Sequence, residues 1–207
     1  MGVRGGMHGS AAVAAAAALA FVTSGPAVGA EQWRPRPGTL YISDIRLGDG
    51  VGWSAPPVQR GWGSRYNCLA DWTWRPPEVN VWHRQFSTAE TASAEQKVVV
   101  FATEAEAAAF ADAARQNYAD CPRRRNERPD MTATGYDHGV VNVEEGATLQ
   151  GMHTVDTDAQ ERPDFNYLWG VGRDGDTVTL AEWSSYWGAP PVEAWKNILR
   201  TAVNKLY

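Results

Sequence analysis

Val98–Cys121, VVVFATEAEAAAFADAARQNYADC, joins an apolar run, a helix start signal, an amphipathic helix and a cysteine without interruption. Val98, Val99, Val100 and Phe101 are β-branched or aromatic and apolar at every position, the pattern of a strand covered on both sides, so a central strand is predicted. Thr103 stands at the N-cap position, and Glu106 three residues later completes a reciprocal capping box. Phe110, Ala113, Ala114 and Tyr118 recur at helical spacing and are expected to pack on the sheet. Glu104, Asp112, Arg115 and Gln116 then face water. Pro122 is expected to end the helix just after Cys121.

Outward from this unit, 79–86 (VNVWHRQF) reads as a strand, 87–95 as a polar loop, and the two strands as an antiparallel pair. After Cys121, PRRRNERPD reads as a basic, proline-bounded turn. Its Arg123, Arg124, Arg125 and Arg128 are either an anion grip or, more ordinarily, a solvated loop. Gly139–Val143 and Leu149–Val155 are two further strands with Glu144, Glu145 and Gly146 turning between them. Asp174-Gly175 is a two-residue type I′ turn signal between strands Phe165–Arg173 and Asp176–Trp187. That turn predicts Val171 opposite Val178, Trp169 opposite Leu180 and Arg173 opposite Asp176. Pro190 and Pro191 open a last helix whose stripe is Val192, Trp195, Ile198, Leu199, Ala202, Val203 and Leu206, expected to cover the Val171 face. The resulting class is α+β, a single domain with a mostly antiparallel sheet and its helices packed on one face.

Arg4 followed by the apolar run Ala11–Val22 and small residues to Ala30 reads as a secretory signal peptide over 1–30. The run is too short for a membrane span. Residues 31–38 read as a mobile leader and 39–207 as the domain, extracellular and secreted. A formal net charge of −5 disfavours a nucleic-acid or anionic-membrane partner. Cys68 and Cys121 are the only cysteines, and export predicts a disulfide between them. From Gly48 to Pro77, glycine and proline punctuate Trp53, Trp62, Trp72 and Trp74. These tryptophans are either a stacking platform for sugars and aromatic ligands or, the favoured reading, core in a segment poor in aliphatic residues.

The pattern V-V-x-F, a short turn, alanine and phenylalanine at helical spacing, then Tyr118 three residues before Cys121 resembles the PknH-like extracellular sensor domains of actinobacteria. The resemblance covers Val79–Cys121 and, loosely, Phe165–Tyr207. It implies a mixed α+β fold with a cleft and a ligand-sensing role. Members of that family commonly carry two disulfides, whereas this chain has one cysteine pair.

No G-x-S-x-G, H-E-x-x-H, P-loop or dinucleotide glycine motif is present. His83, His138 and His153 are scattered, and Asp156, Asp158 and Glu161 lack the glycine and terminal glutamate of a calcium loop. No metal, cofactor or catalytic residue is therefore assigned. The first expectation is a non-catalytic sensor or ligand-binding domain for an unknown small molecule or cell-envelope component. A secreted hydrolase using His153 with Asp156 or Glu182 is the alternative, and a secreted inhibitor or protein-interaction domain a third. The hairpin alternation places Asn166, Thr179 and Trp183 on one face with Gly170, Gly172 and Ala181, expected to lie open opposite the helices as a ligand floor. Trp82 and Arg84 are expected as its wall, with their side of the sheet left undecided by the sequence. The competing expectation is that Trp183 is core beneath the tryptophan-rich segment.

Overall fold

The apolar run at 98–101 is the end of a longer strand. In the computed structural model, which describes residues 2, 36–48, 50–64, 67–69, 72–74, 76, 80–89, 92–158, 164–186 and 188–207, the strands are β1 Gln59–Arg60, β2 Val81–Ser87, β3 Ala92–Val100, β4 Met131–Val141, β5 Ala147–Asp156, β6 Asp164–Asp174 and β7 Thr177–Ser185. The helices are α1 Glu104–Arg125 and α2 Val192–Asn204. The expected signal peptide at 1–30, residue 2 excepted, and all but the last three residues of the expected leader lie outside the described residues. Among those described, no helix is long and apolar enough to cross a membrane.

All pairings are antiparallel, in the order β1-β2-β3-β7-β6-β5-β4. The α+β class and the central placing of the Val98–Val100 strand agree with the sequence reading. The strand itself starts earlier. Ala92–Lys97, read in part as a polar loop, belongs to β3, because its polar side chains find partners on the neighbouring β7. β4 also starts earlier than the expected Gly139, at Met131, with a bulge between Asp137 and Val140.

Thr103 caps α1 as expected, accepting from the Glu106 amide at 3.2 Å, but Glu106 reaches back to the Ala102 amide rather than to that of Thr103. The helix does not stop at Pro122. It runs to Arg125 with the proline inside, and the Asn126 amide still bonds the Pro122 carbonyl at 3.0 Å. Pro122 packs against β4 at Gly135, where an added Cβ would come within 2.7 Å of the ring, so tertiary contact holds a turn that local propensity disfavours. Three of the four arginines of the expected basic turn are anchored locally. Arg124 donates to the Cys68 and Asn117 carbonyls, while Arg123 and Arg128 pair with Glu127 and Asp130.

The two helices lie on opposite faces of the sheet, not on one. α1 covers the face of Val171, Val178, Leu180 and Trp169, and α2 covers the face of Leu149, Leu168, Ala181 and Trp183. Glycine decides this. Gly170 and Gly172 alternate with Val171 on β6, and a Cβ on Gly170 would meet Leu199 at 2.7 Å while one on Gly172 would overlap Val203. The bare strip admits α2, whereas the bulky Val171 side fits the alanine-rich surface of α1, with Ala107, Ala111 and Ala114 buried.

The β6–β7 register is also displaced by two residues from the expected one. Val171 faces Leu180, Arg173 faces Val178 and Asp174 faces Thr177, so the turn residues are Gly175 and Asp176. Gly175 takes the positive φ of 55° at the first turn position, and its amide donates to Glu145. A shift of two leaves every side chain on its expected face.

Cys68 and Cys121 are bonded, with Cα atoms 5.5 Å apart and a sequence separation of 53. A loop of that length corresponds to about 4 kcal/mol in the chain-entropy treatment. Trp62, Trp72 and Trp74 surround Phe110 of α1 at centroid distances of 6.1, 4.9 and 5.7 Å, and Trp53 packs against the α2-side core. Trp62 is thus core, Trp53 and Trp72 pack partly buried against it, and Trp74 stays 41 % exposed beside Phe110.

The close approach of α2 yields a test. Gly172→Ala is expected to lower stability by about 1 to 3 kcal/mol, because Val203 or the helix axis must move. Urea denaturation measures this, and an unchanged midpoint would show that α2 does not lie on the Gly172 face.

Candidate functional site

β3 places Glu95 and Lys97 two residues apart on the α1 face, and β7 places Glu182 directly opposite Glu95. Lys97 is fully buried. Its Nζ bonds Glu95 Oε2 at 2.6 Å and Glu182 Oε2 at 2.8 Å. Glu182 Oε1 accepts from the Tyr118 hydroxyl at 2.8 Å, and Glu95 Oε1 accepts from the Ser64 amide at 3.1 Å. Two carboxylates facing each other across adjacent strands repel, and the ammonium between them turns that repulsion into a chain of charge-assisted bonds.

Burial sets the protonation preferences. Desolvation raises the Glu95 pKa, and the opposition of Lys97 does not cancel it. For Lys97, desolvation alone favours the neutral amine, but Glu182 and Glu95 outweigh it and hold the pKa above the ordinary lysine value. The Tyr118 phenol is pushed well above its ordinary range by burial and by the adjacent Glu182, so it stays a donor.

The segment 61–64 closes over this cluster. His83 of β2 bonds the Gly61 carbonyl through Nδ1 at 2.8 Å, and because a carbonyl only accepts, that nitrogen carries the proton. Gly63 has φ 63°, and a Cβ there would overlap both Glu95 and the His83 ring, so glycine is required on two counts. Gln85 bonds the Ser64 hydroxyl from the next residue on that face of β2.

Along β6, alternation brings Phe165, Tyr167 and Trp169 to the same face. Tyr186 lies 3.8 Å from Phe165. Phe165 and Tyr167 stack at 5.9 Å, Tyr167 and Trp169 at 5.7 Å, and Trp169 and Tyr118 at 5.1 Å. The ring series runs from the exposed Tyr186 to the fully buried Trp169. Between these rings and the charge cluster is a cleft of about 480 Å³, lined by Glu95, Glu182, Tyr167, Trp169, Phe165 and Gln85 among others. None of its described lining residues is arginine, lysine or histidine. A larger hollow of about 840 Å³ lies where residues 36–38 meet the start of α1 and the chain end at Lys205–Tyr207, away from the buried charges.

The residues assigned to the ligand floor and wall from sequence do share a face, but it is the α2 face. The premise that this face lies open is corrected: α2 and residues 36–60 cover it, because the Gly170–Gly172 strip accepts the helix. Thr179 is fully buried and accepts from Gln96 Nε2 at 3.0 Å. Trp82 is buried with Arg60 over its ring, and Arg84 donates to the Pro56 and Leu40 carbonyls. Asn166 donates to the Gly188 carbonyl at 3.0 Å. Trp183, 5 % exposed and part of the α2-side core, is the one member of that set that also lines the cleft. The pairing of His153 with Glu182 is corrected too. They lie on opposite faces, Asp156 projects from β5 on the side away from His153, and His153 Nε2 is instead 3.5 Å from Asp164. Glu95, Lys97 and Tyr167 escaped sequence reading. The available signal was E-x-K alternation leading into an apolar strand, the mark of a charge pair on one face.

No protein-family model and no curated protein matches the chain. Among solved structures it is similar to the crystal structure of the extracellular domain of PknH from Mycobacterium tuberculosis, at 11 % identity and a TM-score of 0.48, with 81 % of this chain and 93 % of that chain covered. The likeness is distant and transfers no residue role.

The cluster generates a prediction in two parts. Lys97→Met leaves two buried carboxylates face to face and is expected to cost about 3 to 5 kcal/mol. Glu95→Gln replaces the carboxyl group with a neutral amide of similar shape. Because the folded Glu95 pKa lies above the ordinary 4.5, Glu95 contributes stability that is present below that value and lost as pH rises through the folded pKa. The Gln variant should therefore gain on the wild type over that climb. Urea denaturation at a series of pH values reads both parts, and a wild type that gains on the variant as pH rises would contradict the second.

Proposed function

We propose that the chain is an exported, non-catalytic ligand-binding domain, sensor-like in use, whose site is the cleft between the β6 aromatic series and the Glu95–Lys97–Glu182 cluster. The observation that supports it most is the cleft's composition: about 480 Å³ with stacked rings on one side and buried, fixed charges on the other. That size lies within the usual range for small-molecule sites. Rings supply contact area at low entropic cost, while fixed acceptors orient the bound molecule. The ligand is a small molecule or a component of the cell envelope. Of the sequence-assigned ligand residues, Trp183 enters this proposal.

Export is supported by the amino-terminal apolar run and by the Cys68–Cys121 bond, which persists in oxidising compartments. The non-catalytic reading is supported by the state of the carboxylates. Each is tied to Lys97, and their remaining oxygens accept from Tyr118 and Ser64, an arrangement that holds charge in place rather than moving a proton.

A thermal-shift panel of amino acids, amines, sugars and envelope fragments tests the proposal on the purified protein. A ligand present at about 100 times its Kd adds about 2.7 kcal/mol of stability. At least one class is expected to raise Tm by several degrees, and the rise should vanish in Tyr167→Ala. A rise that survives loss of the ring would place the site elsewhere. Turnover of any bound compound, abolished by Glu182→Gln, would favour the hydrolase alternative.

A further inference from the structure

The reading of the cleft as a ligand site leaves open what chemistry it selects, and the arrangement of charges and rings narrows that. The Lys97 ammonium lies between the Glu95 and Glu182 carboxyl groups, and the cleft floor is lined by these two acidic groups and by no described basic one. Their four oxygens offer roughly eight lone-pair positions. Four described donor contacts occupy them: two from Lys97, one from Tyr118 and one from the Ser64 amide. Among the described residues, acceptor capacity is therefore left over beside the cavity. Lys97 cannot supply a further contact to a bound molecule, since it is fully buried beneath the carboxylates.

The wall is an independent observation about the rest of the bound molecule. Phe165, Tyr167 and Trp169 line the cavity as a stacked series, 5.9 and 5.7 Å between successive centroids. Such a series offers contact area to an apolar or aromatic body. An anion in the same place would meet the two carboxyl groups, with no described basic side chain in the lining to offset them. A neutral molecule would gain the apolar contact but not the charge-assisted bonds that a carboxylate makes to an ammonium group.

We propose that the cleft binds an organic cation, an ammonium group on an apolar or aromatic body, with the nitrogen at the Glu95 and Glu182 carboxylates and the body against Tyr167 and Trp169. The proposal rests on the reading of the cleft as the ligand site, and the test separates the two.

Three probes of similar size and different charge decide it: phenethylamine, 2-phenylethanol and phenylacetate, titrated calorimetrically into the purified protein at neutral pH. Phenethylamine is expected to bind at least tenfold tighter than 2-phenylethanol, and phenylacetate more weakly than either. Glu182→Gln should reduce the amine-over-alcohol preference by about tenfold. Glu95→Gln serves the same purpose should the first variant fail to fold by circular dichroism. Tyr167→Leu should weaken amine and alcohol together, because both use the ring. Equal affinity for amine and alcohol, with both lost in Tyr167→Leu, would overturn the cation assignment while leaving the cleft as a ligand site. Preference for phenylacetate, or no binding of the amine at millimolar concentration, would overturn it as well. An amine preference that survives both Gln variants would show that the carboxylates do not hold the cation.

Discussion

Burial of β3 on both faces is the constraint on which the rest of the structure depends. Seven consecutive residues, Ala94–Val100, are buried, and three of them, Glu95, Gln96 and Lys97, are polar or charged. An unpaired buried polar group costs several kcal/mol, so each must be answered from a neighbouring element. On the α1 side Lys97 is answered by Glu95 and Glu182, and Glu182 by Tyr118. On the α2 side Gln96 donates to Thr179 and accepts from the Leu40 amide at 2.7 Å, which draws the 36–48 segment onto the sheet. One strand thus fixes the register of β7, the seating of α1 and the path of the amino-terminal segment.

The cleft follows from how α1 crosses the sheet. The helix leaves the centre after β3 and runs over β7, β6 and β5 to deliver the chain to β4 at the far edge. It covers the Val171 and Val178 end of this face, and Tyr118, Cys121 and Pro122 carry the contact toward the other end. Beyond Tyr118, the residues Tyr167, Phe165, Glu95 and Ser184 line the cleft. The disulfide and the 61–64 segment close one side of that region, and the Tyr186–Phe165 pair bounds the other. A ring series beside a desolvated charge cluster is what remains when a single crossover helix, about 10 Å across, lies over strands of up to 11 residues.

The same geometry explains why the cleft opens on one face. The α2 side is a dry packing layer in which Leu199 and Val203 meet the Gly170–Gly172 strip directly. Its polar groups, Arg84, Asn166 and Thr179, are engaged by backbone carbonyls and by Gln96. Their partners lie within the chain, and they tie loops to the sheet. On the α1 side the partners are arranged around an opening.

Local patterning determined the elements. The Val98–Phe101 run, the Thr103 cap, the helical stripe of α1, the Pro190-Pro191 start of α2 and the Asp174-Gly175 turn signal each rest on interactions within a few residues, so the order of strands and helices was legible, as was the face on which each β6 and β7 side chain stands. The cysteine pair was legible because composition left no other pairing. The tertiary structure alone decided which face each helix covers, since amphipathic stripes state that a face is buried but not against what. Gly170 and Gly172 carry that choice, and their lack of side chains reads equally well as an open floor or as a helix seat. It also decided the site. The Glu95–Lys97 pair, Tyr118 and Glu182 are far apart in sequence, and a polar stretch such as 87–95 reads as a loop until the opposing strand supplies partners. Burial of a charge is a pairwise property, and the partner is chosen by the sheet register, which no local pattern encodes.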